Sequence, residues 1–591
     1  MTSPEEPGAG VPADSPDPVE PIDPGDPAET VGADSPSLLG SSAVMAAGTL
    51  ISRLSGFLRS ALLMVALGNV LHADLFNIAN TVPNMLYILL AGGVFNAVLV
   101  PQLVRAMRED ADGGEAYTQR VVTAAGLFLL VVTVALVVFA PQVMSLYLDE
   151  RFDAPDRAAH VESVVRFAQY CLPQVFFYGM FVLVGQILNA RGRFGPMMWA
   201  PIANNVIAVG VLLVYLMAFG PAQGAELRGP YSPGQEAVLG LGSTLGIVVQ
   251  LAILVPYLRR AGFRFRPRFD LRGSGLGRTA RLGVWTILFV VVNQIAYTVV
   301  VRLASSGTAD GGDGTGYTVY SFVFLIVMVP HSVITVSLAT AALPRLSALA
   351  AGDDRSGLAH TLADTLRTTL VVIVWFAGLL PFVADDVANV IWNHGPESAG
   401  YTQYVPTLML FGPGLVMFTV HYLVLRGFYA LEQTRTVFWI QCIVASTNIA
   451  AAIVLVSVTS DRWTAPALAL AYGVSYAVGS AVSYRVLAGR LGGLESRRTL
   501  RFAVRLAVAV AVSSALAALI AGVLAEWGSA PWWVLAGLRG GLVALVALGG
   551  LLLAARTLHL REVTDVVDVV ARRLARGRGG NTGRGGRRAL R

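Results

Sequence analysis

The sequence contains no lysine, and all 43 of its basic residues are arginine. It has only two cysteines, Cys171 and Cys442, in separate apolar runs. That excludes a disulfide framework and a thiolate metal site, and leaves both as small membrane-core residues. Charge of either sign is scarce: 14% of the residues are charged, against about 25% in an ordinary soluble domain. With 55% hydrophobic residues gathered in long runs, this composition excludes an ordinary soluble enzyme and points to repeated crossings of a lipid bilayer. A positively charged start followed by a short apolar core is also missing, so residues 1–40 do not read as a signal peptide. They are rich in Pro, Gly, Asp and Glu and are expected to form a disordered cytoplasmic tail. Residues 561–591 mirror them with opposite sign, carrying arginines among glycines. Such a tail suits anionic membrane lipid, and with no folded reading module beside it no nucleic-acid partner is expected.

What is present is a series of apolar runs, at 42–68, 73–104, 119–146, 163–190, 198–220, 236–258, 278–303, 316–345, 363–388, 403–427, 436–458, 463–488, 502–525 and 532–558. Each is long enough to cross hydrocarbon as a helix. The expected fold is therefore an all-α polytopic membrane protein of about fourteen transmembrane helices. Arginines supply an independent check. Links after even-numbered spans hold Arg105, Arg108 and Arg120, then Arg191 and Arg193, then Arg259, Arg260, Arg264, Arg266, Arg268 and Arg272, and later Arg490, Arg497, Arg498 and Arg501. Links after odd-numbered spans are poorer in arginine and include Asp149, Asp153, Asp156, Asp310, Asp313, Asp385, Asp386 and Glu397. The positive-inside rule puts the Arg-rich links and both termini in the cytoplasm.

The Arg-rich link falls midway and divides the chain. The domains read as 41–258 for a first lobe of six spans, 259–277 for a cytoplasmic linker, 278–490 for a second lobe of six, and 491–560 for two further helices. At an offset of 243 residues the halves match weakly: Leu99–Leu103 resembles Ala342–Leu346, Asn205 meets Asn448, and Arg59 meets Arg302. Six spans per copy make the repeats parallel, since each copy starts on the same side. Two similar bundles with a cavity between them form a transporter architecture, whereas a channel would advertise a ring of pore segments.

The expensive residues are in the first two spans. Arg53, Arg59, Asp74, Asn77, Asn80 and Asn84 interrupt apolar sequence, and an arginine near the bilayer centre costs roughly 3 kcal/mol or more when it faces lipid. Arg53 and Arg59 are separated by about 9 Å along one helix, enough to line a track. Asp74 begins the next helix, within reach of either. Two readings stand side by side: internal bracing, or an anion site in which guanidinium groups hold diphosphate oxygens through paired hydrogen bonds. Gly48, Gly56, Gly68, Pro83, Gly92, Gly93 and Pro101 punctuate these spans, as hinges or as fixed points of close packing.

Ser52-Arg53-Leu54-Ser55-Gly56-Phe57-Leu58-Arg59, then Asp74, Pro83-Asn84 and Ala91-Gly92-Gly93-Val94-Phe95-Asn96-Ala97 through Val100-Pro101, resemble the signature opening of the MurJ (MviN) lipid II flippase family of the MOP superfamily. Gly185–Phe194 running into Ala200–Asn205, Ala341–Ser347 and Gly427–Ala430 are similar to the same family, so the resemblance covers residues 42–560, with an actinobacterial-like character. It implies two six-helix lobes in parallel pseudo-repeat plus two C-terminal helices that extend a groove for a lipid tail. It further implies alternating-access transport, from inner to outer leaflet of the bacterial cytoplasmic membrane, of undecaprenyl-diphosphate-linked disaccharide-pentapeptide, with membrane lipids and cell-wall synthesis or division proteins as candidate partners. No catalytic residue, cofactor or metal is expected. Coupling to membrane potential or a monovalent cation is open. The family's functional charges fall on Arg53, Arg59 and Asp74, with Asn77 and Asn84 as further candidates. Three positions depart from the pattern: two family arginines are replaced by Tyr87 and Leu325, and an acidic residue by Gly92. Arg302 is the candidate to restore the missing positive charge. The alternatives are export of another polyprenyl-linked oligosaccharide, export of a small drug, which would favour acidic cavity residues, or a membrane scaffold for cell-wall synthesis.

Overall fold

The computed structural model of the chain describes residues 38–89, 106, 112–193, 195–270, 284–394, 398–525, 532–560 and 562–563. The expected disordered N-terminal tail through residue 37, the Ala91–Pro101 motif with its candidate hinge residues Gly92, Gly93 and Pro101, and the basic tail after 563 lie outside the described residues.

The first lobe comprises α1 (Leu38–Leu67), α2 (Leu71–Leu89), α3 (Glu115–Val138), the short α4 (Ala140–Ser145), α5 (Ala158–Cys171), α6 (Gln174–Ala190), α7 (Gly195–Phe219) and α8 (Pro233–Arg260). The second comprises α9 (Val284–Ala309), α10 (Tyr317–Pro330), α11 (Val336–Ala351), α12 (Arg355–Trp392), α13 (Tyr404–Ala430), α14 (Thr434–Val458) and α15 (Thr464–Leu491). The helices α16 (Ser496–Leu524) and α17 (Trp532–Thr557) follow. No strand occurs among the described residues.

Local chemistry sets the ends of these helices. Ser232 and Gln235 form a capping box ahead of α8, with Pro233 at its first turn, where a missing N–H costs nothing. Asp354 accepts from the Gly357 N–H at 2.8 Å to start α12, and Gly492 ends α15 in the left-handed region at φ 73°, which glycine adopts without a Cβ penalty. Pro173 separates α5 from α6 within one apolar crossing, and a π turn at His331–Thr335 after Pro330 separates α10 from α11 within another.

Among the described residues, twelve helical crossings are long and apolar enough to span a membrane. The remaining two of the expected fourteen correspond to α1, apolar over Leu54–Leu67, and to α2, whose described part carries Asn77, Asn80, Pro83 and Asn84. Their outward faces suit hydrocarbon rather than water: α3 presents Phe128, Val131, Val134 and Val138, all at least half exposed.

The same packing pattern occurs in both lobes. In the first, α7 packs on α1 and α8, and α6 packs on α3 and α8; in the second, α14 packs on α9 and α15, and α13 packs on α12 and α15. The two lobes thus share one packing scheme. Small residues set the approach: a Cβ on Gly48 would lie 3.3 Å from the Trp199 ring, between α1 and α7. After α8 the chain runs back along the first lobe, where Arg191 donates to the Ala261 carbonyl at 2.7 Å, Arg120 pairs with Asp270 at 2.6 Å, and the Arg268 N–H donates to Thr123 at 3.0 Å.

The last two helices pack on each other and on α12. Ser513 donates to the Ala547 carbonyl at 2.6 Å and Ser514 to the Gly378 carbonyl at 3.0 Å. At one end of this junction Arg539 holds Asp385 and Asp386 at 3.1 and 2.5 Å. At the other Arg367, 0% exposed, meets Asp364, Glu495 at 2.9 Å and Glu562 at 3.6 Å.

Candidate functional site

A cavity of about 660 Å³ lies between the lobes. α1, α2, α6, α7 and α8 contribute one wall and α9 and α10 the other. Its polar lining consists mostly of amides and hydroxyls: Asn77, Asn80, Asn84, Gln174, Asn204, Asn205, Asn293 and Gln294. Several of these are held in place by neighbours. Asn205 donates to the Ser52 carbonyl at 3.1 Å and to Ser55 at 2.8 Å, fixing α7 against α1, and Gln174 donates to Asn80 at 3.1 Å. Gln294 donates to the Met85 carbonyl at 3.2 Å, and Gln441 to Asn293 at 3.2 Å.

Arg59 is the sole charged side chain among the described cavity-lining residues. It makes no ion pair or hydrogen bond with any described residue, and the titratable groups nearest it are Tyr178 and Cys171. A cation in such a place keeps its donors free for an anion that enters the cavity. Arg53 lies about one and two-thirds turns earlier on α1, with its side chain outside the described residues. Asn77 and Asn84 line the cavity, and Asn77 also bridges the lobes, donating to Thr318 at 2.9 Å.

Asp74 is elsewhere. It is 1% exposed and forms no ion pair with Arg59; the expected Arg59–Asp74 contact is absent. Instead it reaches across to the second lobe and caps α10. Its Oδ1 accepts from the Thr318 N–H at 2.7 Å, and its Oδ2 accepts from the Tyr317 N–H at 3.1 Å and from the Thr308 hydroxyl at 2.7 Å. The residue that begins α10 locally is Gly316, which has no side chain to offer those N–H groups. A carboxylate from α2 therefore meets both the orphan donors and the positive end of the helix dipole. Gly316 is required by this approach, because a Cβ there would collide with the Asp74 carboxylate.

Asp74 belongs to a wider seal. Arg151, in the α4–α5 link, pairs with Asp310 at 3.2 Å and Asp461 at 3.1 Å and donates to the Ser306 carbonyl. Arg228 pairs with Asp313 at 2.9 Å. Asn69 donates to the Gly400 carbonyl and to Gln403, each at 3.0 Å. Below these, Tyr317 bonds to Thr81 and, at 3.0 Å, to Tyr297. Apart from the Tyr317–Tyr297 bond, which lies within the second lobe, these contacts join the lobes at one face, formed largely by the acidic links that the sequence places after odd-numbered spans.

Arg302 lies at this sealed face and does not line the cavity. It donates to the Ser145 carbonyl at 2.8 Å and faces Glu150 at 3.8 Å. The reason is helical phase and height: Asn293, Gln294 and Tyr297 are the α9 residues that face the cavity, and Arg302 lies beyond them toward the helix end. Of the two positions where the family pattern has arginine, Leu325 lines the cavity and Tyr87 packs on Tyr178 at 4.8 Å between rings. The cavity is therefore less cationic than the motif resemblance implies, and nothing on α9 or α10 replaces the missing charge.

Sequence reasoning passed over a second unpaired arginine. Arg426, on α13, lines a cavity of about 670 Å³ within the second lobe. It stands directly before the Gly427–Ala430 motif, and an arginine inside an apolar span is itself the signal that marks it. Arg367 and Asp364 were equally readable as charges in the ninth span.

A profile of the family described as lipid II flippase MurJ matches residues 63–534. The chain is 27% identical over 433 residues to a probable lipid II flippase MurJ of Rhizobium meliloti (strain 1021), covering 71% of this chain and 75% of the relative. It is 24% identical over 411 residues to that of Haemophilus influenzae, covering 66% and 75%. Among solved structures, a lipid II flippase MurJ in an inward closed conformation superposes with a TM-score of 0.66 at 17% identity, covering 87% of this chain and 99% of that one. An inward-facing multidrug resistance MATE transporter of the MOP superfamily superposes at 0.54 and 15% identity, covering 79% and 97%. The two solved structures share the fold of this chain, and the family profile matches most of its length: this protein belongs to the lipid II flippase MurJ family.

Proposed function

We propose that this protein moves undecaprenyl-diphosphate-linked peptidoglycan precursor from the inner to the outer leaflet of the bacterial cytoplasmic membrane by alternating access, making and breaking no covalent bond. The observation that carries this reading is Arg59, unpaired in an amide-lined cavity between two lobes that are sealed to each other at one face. A diphosphate cannot cross hydrocarbon unaided at a useful rate, because its charges would lose their hydration. Here it meets a guanidinium whose paired donors match its oxygens, while neighbouring amides satisfy the sugars and the lipid tail stays in the bilayer. The sealed face then corresponds to the outside and the Arg-rich linker and both termini to the cytoplasm, in keeping with arginine distribution. The sign of the cavity argues against a cationic drug as cargo, since no carboxylate lines it among the described residues.

The test is complementation of depleted cells at matched membrane abundance, reading external labelling of the lipid-linked precursor. Arg59→Ala should reduce flipping on the order of 100-fold, the scale of a lost charge-assisted contact to an anion. Arg59→Lys, which keeps charge without the planar fork, should fall between. Normal labelling with Arg59→Ala in cells holding no second flippase would sink the reading. For energy coupling we propose dependence on membrane potential or a monovalent cation; flipping in vesicles with sodium, proton gradient and voltage varied separately decides between them.

A further inference from the structure

The second-lobe cavity repeats the electrostatic situation of the first in different surroundings. It lies between α9, α11, α13, α14 and α15, and Arg426 is its only lining arginine, with no acidic side chain among the described lining residues. Arg426 makes no ion pair or hydrogen bond with any described residue, and its Nε is buried without a partner. It is nonetheless held in place. The guanidinium lies 4.2 Å from the Tyr422 ring centroid and 5.7 Å from that of Tyr429. Tyr422 is in turn fixed by edge contact with His331, at 4.8 Å between rings. An arginine clamped between aromatic faces keeps its in-plane N–H donors available while losing little freedom when they engage. Leaving its Nε buried and unmatched is costly, and no described residue supplies a counter-ion.

The two cavities meet at Asn293, which lines both and accepts from Gln441, a lining residue of the second. The aromatic cavity is thus next to the one that holds Arg59, on the side where the head group of a ligand with its diphosphate at Arg59 would extend. We propose that Arg426 and its tyrosine clamp form a second oxyanion subsite, which binds a carboxylate of the peptide borne by the lipid-linked substrate. This rests on the substrate reading above. A peptide carboxylate fits the place on two grounds: it is a planar two-oxygen anion suited to a bidentate guanidinium, and tyrosine faces beside it accept the apolar parts of a short peptide. One arginine would then read the lipid-diphosphate end and the other the peptide end of the same molecule.

The experiment measures binding of two ligands to the purified full chain in nanodiscs: precursor carrying the complete peptide, and the same polyprenyl diphosphate without peptide. In the native protein the peptide-bearing ligand should bind more tightly, and Arg426→Gln should weaken it about tenfold while leaving the peptide-free ligand unchanged. Arg426→Lys should recover part of the loss. Precursor with its peptide carboxylates amidated should bind the native protein as weakly as intact precursor binds Arg426→Gln, an arm that needs no variant to fold. Equal weakening of both ligands, no weakening of either, or a defect that follows phosphatidylglycerol in the disc rather than the peptide would each overturn the subsite. Failure of the native protein to bind either ligand, or unchanged binding of both by Arg59→Ala, would instead overturn the substrate reading on which it rests.

Discussion

Two arginines separate two regions of this molecule. Arg367, where α12 meets α16 and the segment at 562, is fully buried and carries three acidic neighbours with it, Asp364, Glu495 and Glu562. Arg59, in the cavity between the lobes, has none. Withdrawing a cation from bulk water, fully at Arg367 and partly at Arg59, is expensive. Where the chain provides the counter-ions, the charge holds helices together; where it withholds them, the protein keeps a standing demand for an external anion. The same contrast holds at the sealed face, where Asp74, Arg151 and Arg228 are all matched, against the second-lobe cavity, where Arg426 is not.

Breaking the paired region should give the largest effect on stability. Arg367→Ala removes the buried cation shared by three carboxylates, of which Glu495 keeps Arg498 at 3.4 Å, and the expected loss is about 3 kcal/mol, measured as thermal unfolding of detergent-solubilised protein. Arg59→Ala should leave that unfolding unchanged within about 0.5 kcal/mol, because no internal contact is lost; a large drop would make Arg59 a brace like Arg367 and erase the distinction. Next in size is the latch. Asp74→Asn removes the charge that caps α10 and should destabilise the sealed arrangement by about 1–2 kcal/mol. Gly316→Ala should do the same sterically, since its Cβ would displace the Asp74 carboxylate. Distances between spin labels placed on the α7–α8 and α9–α10 links should broaden toward longer values in both variants. A native-like distribution in both would show that the capping contact does not hold the lobes together. The smallest effect belongs to Arg228→Ala, which loses an exposed pair with Asp313. It should shift the same distribution by less than about 1 kcal/mol, and high salt should abolish even that difference.

The identity of the helices was legible because a bilayer imposes length and apolarity on every crossing, so residues such as Leu54–Leu67 and Trp532–Thr557 announce themselves. Arg59, Asn77 and Asn84 were legible as site candidates because polar groups in lipid need a partner or a cavity, and the structure brings these three to one cavity. The partnership of Asp74 was not legible. In sequence it is fifteen residues from Arg59, while Tyr317 and Thr318, which it caps, lie 243 and 244 residues away. Arg302 shows the same limit from the other side, since matching it to Arg59 by repeat offset says nothing of its height in the membrane.

Composition and periodicity alone therefore determined that this chain crosses a membrane many times in two parallel halves, because hydropathy and arginine placement are local properties that each segment carries with it. Tertiary structure alone decided which charges are satisfied. Whether an arginine is a brace or an open binding group depends on what stands within about 4 Å of its guanidinium, and those neighbours come from helices far apart in the chain. Arg367 finds its acids at 495 and 562, Asp74 finds its donors in the opposite lobe, and Arg59 and Arg426 are left by the same packing with cavities instead.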